Sequence, residues 1–167
     1  MAIAHGTILV VDDNEAILRL VVKILKDAGY HVFAAENGSN AIRLATATEE
    51  RIDLLLSDVD MPLMSGPELG AELKKSRPEL KVMFMSGGVN GNLLVLNYGW
   101  AYIQKPFIGE KLLQMVSSVL LSPDRGQHGG DFEPPASRSL VRLLVAERAI
   151  GWHGAAERNS QQYAISG

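Results

Sequence analysis

The segment LLLSDVDMPLMSG, Leu54 to Gly66, sets two carboxylates, Asp58 and Asp60, directly behind an apolar run and closes on a proline and a glycine. A second acidic pair, Asp12 and Asp13, follows the run TILVV in the same manner. Ser86 ends a third run and precedes Gly87 and Gly88, and Lys105 ends a fourth and precedes Pro106. Carboxylates brought close together repel, so a cluster of them is stable only around a cation. With no cysteine in the chain the donors are oxygen alone, which selects a hard ion. Mg2+ fits best, because it takes octahedral oxygen ligation, keeps several waters and is commonly shared with a phosphate. A lysine and a small hydroxyl beside such an ion complete a phosphoryl pocket. Asp58 is the candidate nucleophile in that pocket, since a carboxylate can carry a phosphoryl group as an acyl phosphate. Gly87 and Gly88 let the backbone approach the group with no Cβ in the way.

Those residues converge only if the apolar runs are strands of one sheet. Thr7 to Val11, His31 to Ala35, Leu54 to Ser57, Lys81 to Met85 and Ala101 to Gln104 are short and bounded by Gly, Asp, Asn or Pro, and several are apolar throughout, as in strands buried on both faces. Between the first two, Ile17, Leu20, Val21, Ile24, Leu25 and Ala28 follow helical spacing, and Gly29 supplies the stop. Ser39 or Asn40 caps a second helix through about Ala47, Gly66 to Lys75 forms a third with Pro78 beyond it, Asn90 to Tyr98 a fourth, and Glu110 to Leu121 a fifth. Strands alternating with helices imply a parallel α/β sheet with helices on both faces, because each parallel return needs a crossover. Ligands of such sheets bind at the carboxyl ends of the strands, where all the candidate residues lie.

Composition narrows the classes further. The 167 residues suffice for one domain and an extension, 47% are apolar, and the net charge of −3 is opposite to that of a phosphate-backbone binder. No direct DNA binding is expected. No run reaches the ~20 apolar residues of a membrane helix, and the amino terminus lacks a signal-peptide pattern, so a soluble cytoplasmic protein is expected. From Ser122 to Ser137 the chain is rich in Gly, Pro and polar residues, as a linker is. RSLVRLLVAERAIGW beyond it could form one amphipathic helix. The 46 residues from Ser122 to Gly167, with five basic and five acidic side chains, are too few for a winged-helix output domain.

ILVVDDN, LLLSDVDMPLMSG, VMFMSGG and YIQKPF together resemble the receiver domain of bacterial two-component response regulators, over Thr7 to Leu121. The resemblance implies a doubly wound, flavodoxin-like five-stranded sheet of order 2-1-3-4-5. Together with the change of composition after Leu121, it divides the chain into a receiver at 1–121, a linker at 122–137 and a tail at 138–167. It implies that Asp58 accepts a phosphoryl group from a histidine kinase or phosphotransfer protein. Asp13 would bind Mg2+ directly, Asp12 through water and Asp60 through its main-chain carbonyl. Ser86 matches the switch hydroxyl, Lys105 the phosphate-contacting lysine and Tyr102 the aromatic that moves with Ser86, while the Lys105 to Pro106 bond would be cis. Phosphorylation would draw Ser86 and then Tyr102 inward and shift a partner-binding surface near the fifth strand, read by a downstream protein or a second copy in a homodimer. Catalysis would be confined to Mg2+-dependent self-phosphorylation from a donor and slow autodephosphorylation, tuned by residues such as Asp60 and Gly88. Two features depart from the family pattern: Ser86 replaces the commoner threonine, and the stretch from Ser86 to Tyr102 is short.

Plainer readings exist for each part. Asp12, Asp13 and Asn14 could simply cap the first helix, MPLMSG could be only a turn, and Tyr102 could be a packing residue. LLLSDVDM also resembles the DxD motif of haloacid dehalogenase-type phosphatases, with Asp58 as nucleophile and Asp60 as acid or base, although that family carries the motif on its first strand. A receiver-like binding module without phosphate chemistry is the third reading.

Overall fold

The computed structural model describes residues 6–88 and 100–123. Within them the chain runs β1 (Thr7–Val11), α1 (Glu15–Asp27), β2 (His31–Ala35), α2 (Gly38–Ala47), β3 (Leu54–Asp58), α3 (Gly66–Ser76), β4 (Lys81–Ser86), β5 (Ala101–Gln104) and α4 (Gly109–Leu121). All pairings are parallel, in the order β2-β1-β3-β4-β5. The expected helix at Asn90 to Tyr98, most of the expected linker and the tail helix lie outside the described residues.

Strict alternation along the strands divides the core into two layers. Leu9, Val11, Leu55, Val82 and Phe84 face one layer, closed by Ala41 and Ala45 of α2 and Leu69 and Leu73 of α3. Ile8, Val10, Leu54, Leu56, Met83, Met85 and Ile103 face the other, closed by Leu18, Val21 and Leu25 of α1 and Leu112 and Val116 of α4. Every residue from Ile8 to Val11 is wholly buried, which explains why this strand reads as a continuous apolar run. None of the helices among the described residues is long and apolar enough to cross a membrane.

Helix termini settle where the strand ends point. Asn14 caps α1, its side chain accepting from the amides of Ala16 and Ile17 at 3.0 and 3.2 Å. Asp12 and Asp13 are thereby released from that task. At the other end Gly29, at φ 92°, donates to the Lys26 carbonyl and Tyr30 to that of Leu25, the two bonds of a Schellman stop. The expected cap of α2 at Ser39 or Asn40 is corrected: Asn37 caps it, accepting from the Asn40 amide at 2.8 Å. Gly38, its first residue, packs against Met64 so closely that a Cβ there would lie 2.6 Å from its sulfur. α3 begins in a reciprocal capping box between Ser65 and Glu68. β3 and β4 each extend one residue beyond expectation, since Asp58 pairs with Met85 and Ser86 with Gln104.

Arg77, just past α3, donates to the carbonyls of Ala45, Thr48 and Glu50 at 2.8, 3.0 and 3.0 Å. One guanidinium thus closes the end of α2 and the loop leading to β3. Arg77→Met is expected to lower unfolding free energy by about 2 kcal/mol, as the freed carbonyls are only partly repaid by water. A lower urea midpoint at unchanged slope is the check.

Candidate functional site

Four strand ends meet at one edge of the sheet. Asp12 follows β1 and is wholly buried, Asp58 closes β3 at 7% exposure, and Ser86 closes β4 at 1%. Lys105 follows β5 across a backbone bond from its amide to the Ser86 carbonyl, 2.7 Å, and its bond to Pro106 is cis, as the resemblance implied. Its Nζ donates to Asp12 Oδ2 and to Asp58 Oδ1, each at 2.7 Å. The second oxygen of Asp58, Oδ2, accepts from the Asp60 amide at 3.1 Å. Asp12 Oδ1 accepts from the Asn14 amide at 2.9 Å. The carboxylate of Asp58 is therefore held at both oxygens, by an ammonium on one side and a main-chain N–H on the other.

Charge in this cluster is unbalanced. Burial raises the pKa of Asp58 above the usual aspartate value; Lys105 opposes the rise, and Asp12 and Asp13 add to it. Burial also works against the charged form of Lys105, but its hydrogen bonds to Asp12 and Asp58 outweigh that and raise its pKa. The two directions look contradictory for an ion pair. They agree once the stoichiometry is counted, because one ammonium serves two buried carboxylates in the field of a third.

The structure brings Asp12, Asp58 and Lys105 into direct contact. Asp13 and the side chain of Asp60 are exposed, and Asp13 reaches Asp58 through its field. Ser86 Oγ accepts from the Gly88 amide at 3.3 Å. Tyr102 pairs with Phe84 on β4 and lies half-buried against the α2/α3 layer, beside the packed pair Phe84 and Trp100. An added Cβ at Gly87 or Gly88 would meet none of the described residues within 4 Å. Among the described residues no three acidic, histidine or cysteine side chains converge at metal-binding spacing. The donor chemistry nevertheless suits a hard divalent ion: among the described residues the side-chain donors at this edge other than Lys105 are oxygens, and the charge of the carboxylates exceeds what Lys105 neutralises.

Two residues at this edge escaped the sequence reading. Gly66 was expected to close the Asp58 segment and open α3, not to touch Asp58, yet it packs against the main chain of Asp58. Its signal was its place at the end of the Asp58 loop. Ser57 was absorbed into an apolar run, although it was the single polar residue there; it is wholly buried.

Comparison with known proteins gives a consistent picture. The family described as response regulator receiver domain matches residues 8–117. The chain is 32% identical over 122 residues to the sensor kinase CckA of Brucella abortus, covering 71% of this chain but only 13% of that protein. To the response regulator receiver protein CpdR of the same organism it is 41% identical over 80 residues, 48% of this chain and 65% of that protein. Among solved structures it resembles the response regulator TrrA of Thermotoga maritima, crystallised with Mg(2+)-BeF, at a TM-score of 0.61 and 28% identity over 68% of this chain and 98% of that one.

Proposed function

This chain belongs to the response regulator receiver family, and on that premise we propose that it is a signalling switch which accepts a phosphoryl group on Asp58. One observation carries the reading: the Lys105 ammonium stands 2.7 Å from both Asp12 and Asp58, at the meeting point of three strand ends. The donor is a histidine kinase or phosphotransfer protein. As the phosphorus–nitrogen bond of a donor phosphohistidine breaks, an Asp58 oxygen takes the phosphoryl group and the electron pair stays with the imidazole. Lys105 then follows the new oxyanions, and the Asp60 N–H keeps the carboxyl plane oriented. Asp12, Asp13, Asp58 and the Asp60 carbonyl would hold Mg2+, which when bound neutralises charge on the phosphoryl oxygens. Ser86 and Tyr102 are assigned the response to the new charge, since the Ser86 carbonyl accepts from the Lys105 amide and Tyr102 lies on β5, the strand that Lys105 follows.

We further assign 1–121 to the receiver, 122–137 to a linker and 138–167 to a tail, in a cytoplasmic protein that signals to a downstream protein partner or through a homodimer. Incubating the full chain with acetyl phosphate is expected to yield one hydroxylamine-sensitive phosphoryl group per chain, formed only with Mg2+. Absence of label, or rapid repeated release of phosphate, would overturn the assignment, the second outcome in favour of a phosphatase.

A further inference from the structure

A hydroxyl in an apolar layer is costly unless it is bonded. Ser57 alternates with Leu55 toward the layer of α2 and α3, and its Oγ donates to the main-chain carbonyl of Asp58 at 2.9 Å. The same peptide unit is held at its other end, where the Val59 amide donates to the Met85 carbonyl at 3.0 Å. With both its C=O and its N–H engaged, the plane joining Asp58 to Val59 has no freedom to rotate. The next amide, of Asp60, is then aimed at Asp58 Oδ2. Gly66 completes the frame, its own amide donating to the Val59 carbonyl at 3.0 Å.

We propose that Ser57 is a positioning residue for phosphoryl transfer: its hydroxyl fixes the Asp58–Val59 peptide plane, from which the following peptide aims the Asp60 N–H at the phosphoacceptor carboxylate. The inference rests on the assignment of Asp58 made above. Without the hydroxyl, the Asp58 carbonyl loses a buried partner and the plane turns to find another. The Asp60 N–H leaves Oδ2, and the carboxylate gains rotational freedom about its own side-chain bonds.

The test uses the full chain with acetyl phosphate and Mg2+, the donor's phosphorus–oxygen bond breaking and acetate leaving with the electron pair as an Asp58 oxygen takes the phosphoryl group. Ser57→Ala is expected to be phosphorylated about tenfold more slowly, in keeping with the cost of loosening a near-attack geometry. Deuterium exchange at the Asp60 amide, measured without any phosphate, is expected to be faster in Ser57→Ala. Ser57→Thr keeps the hydroxyl and is expected to restore both readouts. Leu25→Ala, in the opposite layer, reports what destabilisation alone does and is expected to leave the rate unchanged. If Ser57→Ala is phosphorylated as fast as the wild type, or is slowed no more than Leu25→Ala, the positioning role is lost. That comparison decides even where the threonine variant folds poorly. A wild-type chain that takes no label at all instead removes the Asp58 assignment, and this inference with it.

Discussion

Asp58→Asn is expected to abolish phosphoryl labelling by acetyl phosphate while leaving the fold at least as stable as the wild type at neutral pH. The first half follows from chemistry, because an amide has no anionic oxygen to form an acyl phosphate. The second follows from electrostatics. Burial disfavours the charged form of Asp58, Asp12 and Asp13 repel it, and Lys105 only partly compensates. A carboxyl whose pKa is raised on folding contributes stability below its unfolded pKa and loses that contribution as pH rises through the folded value. The wild type therefore carries a cost at neutral pH that the asparagine variant lacks, and the gap should close on acidification toward the ordinary aspartate range near about pH 4. Urea unfolding across that interval measures it. A variant that still labels at one site, or that is markedly less stable at pH 7, contradicts the account of this cluster.

Gly66→Ala is expected to be the most damaging single methyl that can be added to the site. A Cβ there would overlap the Asp58 carbonyl oxygen, and would also lie 3.1 Å from both the Asp58 carbonyl carbon and the Phe84 ring. Neither neighbour yields easily. The carbonyl belongs to a peptide fixed by Ser57 and Met85, and Phe84 is a wholly buried side chain of the central layer. Overpacking against groups that cannot move costs roughly 3 kcal/mol, at the upper end for added methyl groups. The same displacement shifts Asp58, so labelling should fall together with the urea midpoint. Gly70→Ala is the control: its Cβ would sit 3.4 Å or more from Val82, Phe84 and Leu55, ordinary contact distances. Equal damage at both positions would remove the special role given to Gly66.

Much of this could be read before any coordinates. β1, β3 and β4 are near-continuous apolar runs because both their faces are covered, and a run of that kind announces a central parallel strand whatever its neighbours are. Period-3.6 spacing marked α1, and the acids, serine and lysine behind four separate runs marked the rim. Local capping was less legible. Asn37, Ser39 and Asn40 are all good cap residues, and residue type alone does not choose among them; in the structure Asn37 caps, and Gly38 behind it sits against Met64 from a segment far apart in sequence.

Residue types and their order along the chain were enough to state the fold class and to place the candidate acids behind the strand ends, because periodicity and turn chemistry are local properties. Pairwise contact was beyond their reach. That Lys105 bridges Asp12 and Asp58 while Asp13 stays exposed depends on sheet register and on the backbone bond from Lys105 to Ser86. That a buried serine and a glycine frame the Asp58 peptide depends on how β3 leaves the sheet. Such relations are set by long-range packing, in which two segments are fixed against each other only after the whole core has closed.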